Sequence, residues 1–282
     1  MCINFWTLNH PKYKFAFASN RDEFLRRATE RAKFWETSRD VLSGVDTTYV
    51  TSTEPLGGTW LGVNTKGRFI SLTNFREPAL PEIKTSISRG FLVRDLLLSE
   101  NPIHEDLIKL KQEENNYDGF NLVAFDFNGE KEAAYYCTNR GDKEVIPLND
   151  NEIYGLSNAT LSIEWPKVQK GKPTFEQILN KSVTEQHLVE ALFQMLRDTS
   201  PYQDGSEIKQ LQDLAQCICI PKVHFPKNES NPYATRTSTI ILINHDNELV
   251  FIEREWYNEH QEPYEDPSQH DREFRFNIQP RC

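Results

Sequence analysis

The chain has 282 residues, of which 38% are hydrophobic and 26% charged, and it carries a formal charge of −10. That length can bury a substantial core, and the absence of a Pro/Gly/Ser-rich linker or an internal repeat predicts a single domain over 1–282. The acidic balance opposes a nucleic-acid phosphate backbone, and apolar runs well short of the ~20 residues of a membrane span predict no transmembrane segment. No basic n-region followed by an apolar h-region opens the chain, so secretion is not expected. Five scattered cysteines, an odd count, read as reduced thiols of a cytoplasmic protein.

The first predicted elements are two strands, 3–8 and 13–19, rich in β-branched and aromatic residues and joined by turn chemistry at Asn9-His10-Pro11-Lys12. In an antiparallel hairpin centred near Pro11, Cys2 faces Ser19 and Asn20, and Asp22 lies just beyond the strand end. Removal of Met1 would give Cys2 a thiol nucleophile and a free α-amine on one residue, and the amine, with a reference pKa near ~8, can act as the thiol's base. Asp22 could accept a hydrogen bond from the terminal ammonium, and Asn20 could orient the thiol or a substrate. The competing reading makes Cys2 a small buried hydrophobe and Asn20-Arg21-Asp22-Glu23 a charged turn or helix start.

Further along, 58–62 and 68–75 read as a second hairpin, with Gly67 available for a positive φ. Ser88 is the expected cap of one helix and Pro102 opens another running to 110. Strands at 120–127 and 132–137 flank Asn128-Gly129, followed by a short strand at 153–156. Helices are expected near 174–179 and over 184–197, the second presenting Leu188, Leu192, Met195 and Leu196 on one face. Late strands at 217–220, 236–244 and 248–255, the last two turning at His245-Asp246-Asn247, precede an edge at 273–278. Strands first, helices in the middle and strands last predict an α+β fold with the N-terminal hairpin inside a largely antiparallel sheet; periodicity leaves the number of layers open. Cys217-Ile218-Cys219 with His224 could suggest a metal site, but a closed zinc site wants four ligands, and a cysteine-bearing core strand is the simpler reading. No metal or cofactor is predicted, and no phosphate-binding loop occurs.

Several motifs together carry a family resemblance: Met1-Cys2-Ile3, Asn20-Arg21-Asp22-Glu23-Phe24, Leu42-Ser43-Gly44, Gly57-Gly58-Thr59-Trp60-Leu61-Gly62, Leu72-Thr73-Asn74, Gly119-Phe120-Asn121-Leu122, Tyr154-Gly155-Leu156-Ser157-Asn158 and Thr235-Arg236-Thr237-Ser238. In this order the chain resembles the Transport and Golgi organisation protein 2 family, also called the NRDE family, over nearly its whole length. The resemblance implies the four-layer αββα sandwich of the N-terminal nucleophile (Ntn) hydrolases. It extends distantly to choloylglycine hydrolases, which pair an N-terminal Cys with an Asp two positions after a shared Asn. The matching Asp is Asp22, and the positions matching the oxyanion-shaping residues are Asn74 and Asn158. Those hydrolases carry an Arg just before the shared Asn, where this chain has Ser19. Lys167 and Arg236 are the candidates to stand in for a second, downstream Arg.

The resemblance implies handling of an acyl amide or thioester through Cys2. Its rival is a non-catalytic carrier of an amphipathic acyl or haem-like ligand, with Asn20, Arg21, Asp22 and Glu23 helping to contact it; the ligand-binding candidates of the site are Asn20, Arg21, Glu23, Trp60 and Arg236. By default Trp60 is a core residue, with a place beside an apolar ligand cleft as its alternative. The family's association with Golgi organisation, secretion, haem and fatty acyl-coenzyme A makes a cytoplasmic location near Golgi or mitochondria the expectation.

Overall fold

In the computed structural model, β1 (Ile3–His10) and β2 (Tyr13–Phe24) form the opening hairpin, followed by β3 (Thr29–Phe34), β4 (Val41–Asp46), β5 (Leu61–Asn64) and β6 (Arg68–Asn74). Helices α1 (Gly90–Leu98) and α2 (Ile103–Glu113) lead into β7 (Phe120–Asp126), β8 (Ala133–Thr138), β9 (Ile146–Pro147) and β10 (Tyr154–Leu156). Helices α3 (Pro166–Lys181) and α4 (Glu185–Leu196) precede β11 (Tyr233–Ile243), β12 (Glu248–Glu255) and β13 (Arg272–Asn277). The structure describes residues 2–51, 56–77, 87–128, 133–141, 144–210, 212–226 and 229–279; Met1, Gly129, Glu132 and Cys282 lie outside them.

The strands make two antiparallel sheets, ordered β10-β1-β2-β11-β12-β13 and β3-β4-β5-β6-β7-β8-β9. The expected α+β class with largely antiparallel sheets is therefore what the chain adopts, and the N-terminal hairpin is interior to its sheet. The chain divides into two compact units. The first holds 1–27, 150–157 and 161–275, the second 28–149, 158–160 and 276–282. No helix among the described residues is long and apolar enough to cross a membrane.

In the first unit, alternation along each strand sends one side chain in two toward α3 and α4. Ile3 and Phe5 of β1, Ala16 and Ala18 of β2, Ile240 and Leu242 of β11, and Val250 and Ile252 of β12 share a core with Val168, Phe175, Leu192 and Phe193 of the two helices. Gly171 of α3 sits directly over Phe5, where an added Cβ would come within 2.1 Å of the ring. Only glycine permits that approach. In the second unit α1 and α2 lie on β6 and β7 through Leu92, Leu96, Leu107, Ile70, Leu72 and Leu122. The buried Arg68 guanidinium donates to the carbonyls of Leu96 and Ser99 at 3.0 and 2.7 Å and also to that of Asn101. It thereby satisfies carbonyls that the end of α1 leaves without helical partners.

Four local expectations need correction. The opening hairpin turns on Pro11-Lys12 between the His10↔Tyr13 pair, so Ile3 lies opposite Asn20 and Cys2 continues toward Arg21 rather than Ser19. Second, β2 runs on to Phe24 because β11 pairs with it as far as Tyr233↔Phe24, so Asn20-Arg21-Asp22-Glu23 is strand interior. Third, α3 begins at Pro166, eight residues before the expected 174, with Pro173 inside it. Proline removes one helical hydrogen bond, and burial of Lys167, Val168, Phe175 and Leu179 along one face keeps the helix continuous. Fourth, 217–220 is not a strand; its backbone instead bonds outward, with Cys219 N–H donating to the Asp198 carbonyl at 2.9 Å and Thr235 N–H to that of Ile220 at 2.9 Å. Elsewhere Gly67 takes φ +86° at the β5–β6 turn as its type allows.

Candidate active site

Cys2 precedes β1, the second strand of its sheet, and is half-buried. Its carbonyl accepts the Ser157 hydroxyl at 2.8 Å, one residue past β10. Asp22 is near enough to act on the Cys2 sulfur from both its backbone N–H and its carboxylate. Burial pushes the thiol up from its ordinary range and the Asp22 carboxylate adds to the push, while the Asp22 N–H and the Arg21 cation pull the other way. The net direction is up.

Asp22 is the most heavily held residue of the site. It is buried, it pairs with Thr235 across β2 and β11, and its Oδ1 accepts the Thr235 hydroxyl at 2.6 Å. Its backbone carbonyl accepts the Tyr233 phenol at 3.0 Å. Lys167 Nζ, from the first turn of α3, stands 3.7 Å from Oδ2, and both side chains are wholly withdrawn from solvent. Burial pushes the Asp22 carboxyl above the usual carboxylate range, against the pull of Lys167 and the Thr235 hydroxyl.

Asn20 lies beside it on the helix-facing side of β2. Its amide nitrogen donates to the carbonyls of Leu196 at 2.8 Å and Ile218 at 3.0 Å, and its oxygen accepts the Ser238 hydroxyl at 2.5 Å. Arg21, on the alternate face, is buried and 3.9 Å from Glu23, which also meets Arg27 at 3.6 Å. Arg236 is the extra residue of a β-bulge between Thr235 and Thr237, and its guanidinium donates to the Arg27 carbonyl at 2.6 Å. A bulge re-aims a side chain in this way without breaking the sheet.

The first unit thus gathers Cys2, Asn20, Arg21, Asp22, Glu23 and Arg236 on the ends of β1, β2 and β11. The remaining sequence candidates belong to the second unit. Asn74 ends β6 and is exposed, while Asn158 is buried and donates its amide to the Asn74 carbonyl at 2.6 Å. The Asn158 carbonyl in turn accepts the Arg76 N–H at 2.8 Å. Trp60 is half-buried with its indole against Gly44. Sequence reasoning gave no role to Ser157 or Thr235, although both sit inside motifs it singled out. It named Lys167 only as a stand-in cation. A Lys one residue after the Trp165-Pro166 helix start was the available signal.

A family model described as Transport and Golgi organisation 2 matches residues 1–258. The Transport and Golgi organization protein 2 homolog of Bos taurus is 34% identical over 263 residues, covering 90% of this chain and 92% of that protein. Its Homo sapiens counterpart is 32% identical over 270 residues, with the same coverage of each chain. Among solved structures, a Caenorhabditis elegans N-acylethanolamine-hydrolyzing acid amidase ortholog is similar at a TM-score of 0.45 and 13% identity, covering 86% of this chain and 92% of that one. The resemblance first seen in the Asn20-Arg21-Asp22-Glu23 run and the motifs that follow it is thus a match along most of the sequence, and the chain belongs to the Transport and Golgi organisation 2 family.

Proposed function

We propose that this chain is a single functional domain of Ntn-hydrolase type that handles an acyl amide or thioester through Cys2. The observation that supports this most is the arrangement around Asp22, which neighbours Cys2 at the start of β1 and whose carboxylate is held by Thr235 and Lys167. Perturbed, mutually paired ionisable groups at a strand end are common where chemistry is done.

In the proposed cycle the α-amine freed by loss of Met1 takes the thiol proton and the thiolate attacks the acyl carbon. The leaving amine or thiol departs with that proton, and a thioester forms on Cys2. Water or an amine then displaces the acyl group, returning a proton to the sulfur. Asp22 serves as acceptor for the α-ammonium, and Arg21, Glu23, Trp60 and Arg236 contact the ligand, with Asn20 framing them. For Asn74 and Asn158 we propose the oxyanion role their motifs imply; donors of that kind contribute about 3 to 4 kcal/mol each to the barrier.

The test is intact-mass determination on protein purified from cells, followed by labelling with an acyl thioester probe. The expected result is a mass lacking Met1 and a probe adduct on Cys2 that disappears in Cys2→Ala. Retention of Met1 ends the free-amine mechanism.

The upward push on the Cys2 thiol favours a second reading, in which the protein is a non-catalytic carrier of a haem-like or fatty acyl-coenzyme A ligand. A carrier loses affinity in Arg21→Ala and shows no acyl-enzyme under any condition; an enzyme loses turnover in Cys2→Ala while keeping its affinity for substrate. Either activity fits a cytoplasmic protein acting near Golgi or mitochondria in support of secretion and of lipid or haem balance, as the family's name and associations suggest.

A further inference from the structure

Lys167 occupies a costly position. It is wholly buried, although an ammonium loses strong hydration on leaving water, and it lies in the first turn of α3, where the helix dipole opposes a cation. The helix starts from Trp165 without a side-chain cap that would offset this. Its Nζ reaches Asp22 Oδ2 at 3.7 Å, an ion-pair distance rather than a hydrogen bond, and makes no hydrogen bond within the described residues. Core packing does not call for a charge here, because Val168, Phe175 and Leu179 already supply the apolar face of the same helix. Among the described residues the geometry therefore gives Lys167 one counterpart, the carboxylate of Asp22.

We propose that Lys167 is a positioning residue whose buried ammonium keeps Asp22 ionised at the Cys2 strand end, so that Asp22 can act on the Cys2 thiol and amine as an anion. This deepens the reading of Cys2 as an acyl-handling nucleophile and rests on it for its purpose. The groups that surround Asp22 are Cys2 from the start of β1, Arg21 from β2, Lys167 from α3, Thr235 and Tyr233 from β11, and Cys217 and Cys219 from the 217–220 run. Of these, Lys167 is the strongest opponent of the burial that would otherwise protonate the carboxyl. Without it, burial is less opposed and the Asp22 carboxyl moves further toward its neutral form.

The test is a double-substitution cycle read through Cys2 itself, as its iodoacetamide alkylation rate at neutral pH, located by peptide mass spectrometry. An ionised Asp22 suppresses the thiolate, so Asp22→Asn is expected to speed alkylation by about threefold. Lys167→Met is expected to give the same acceleration, the double variant no further gain, and Lys167→Arg the wild-type rate. An effect of Asp22→Asn that is the same size with Lys167 intact as in the Lys167→Met background overturns the proposal, as does a slowing in Lys167→Met. If Lys167→Met alone fails to fold because Asp22 is left buried without its counter-charge, the double variant, which carries neither member of the pair, is expected to fold; its failure also overturns the proposal. The cycle needs no turnover. Coupling without any acyl adduct on wild-type Cys2 would sink the nucleophile reading and leave Lys167 in its role, whereas an acyl adduct without coupling would do the opposite.

Discussion

Cys2 is half-buried while Cys137, Cys217 and Cys219 are buried, and desolvation pushes those three thiols up to about 12, about 11 and about 12. A raised pKa removes thiolate at ordinary pH: at pH 8, a thiol titrating near 11 is ionised in roughly one molecule in a thousand. Among these four residues, native protein at pH 8 should therefore be alkylated first at Cys2, with the rate still climbing at pH 9 because the Cys2 thiol is also pushed up. Peptide mapping that found Cys217 modified as fast as Cys2 would defeat this ordering. Asn20 allows a second prediction at the same scale. Truncation to alanine strands the carbonyls of Leu196 and Ile218 and the hydroxyl of Ser238, at a cost of about 2–4 kcal/mol in urea unfolding. A loss below about 1 kcal/mol would mean that water replaces the amide. Little of this was legible in the sequence. The Cys2, Asn20 and Asp22 neighbourhood followed from hairpin pairing, but a two-residue turn moved the register by one, and one step along a strand exchanges its faces.

At the level of elements, α3 is held to β1 by the Gly171–Phe5 approach. Gly171→Ala gains helix propensity of about 1 kcal/mol but forces a methyl into the ring, and overpacking of this kind costs about 1–3 kcal/mol. The net expectation is a lowered melting temperature, restored in part by adding Phe5→Leu; an unchanged melting temperature in the single variant would refute the close approach. Arg254 of β12 makes a comparable tie, with bonds of 2.8 Å to Glu190 of α4 and 2.7 Å to Asp271 and its guanidinium over the Phe193 ring at 3.8 Å. Arg254→Ala should cost about 3 kcal/mol in chemical denaturation, because it removes both packing and the partner of two carboxylates. Helix α4 was readable from its apolar face over 184–197, and the structure adds a cap at Thr184, whose hydroxyl accepts the His187 N–H at 3.2 Å. The first half of α3 was hidden by Gly171 and Pro173, two residues that ordinarily argue against helix. Strands β3 and β4 went unassigned because the exposed, charged Glu30-Arg31 of β3 lacks the apolar alternation of an interior strand.

On the scale of the whole chain, each compact unit carries its own helix-covered sheet and apolar core. Amide hydrogen exchange should be slowest in β2 and β11 of the first unit and β6 and β7 of the second, the interior strands, and fastest at the edges β3, β9 and β13. Protection of β13 equal to that of β11 would contradict the sheet order. The fold class could be read from strand and helix order, whereas the assignment of Asn74 and Asn158 to one unit and Cys2 to the other could not, since chain segments from both ends and the middle interleave. The side-chain amide of Asn20 fastens β2 to the end of α4, to the 217–220 run and to β11 at once. The first residue of the Asn20-Arg21-Asp22-Glu23 run is thus architectural, while its third, Asp22, neighbours Cys2. A relative that exchanged Cys2 or Asp22 would still need Asn20 for this fastening. Comparisons of relatives that test the proposed acyl chemistry should therefore score Cys2, Asp22 and Lys167 together, and treat Asn20 as a marker of ancestry.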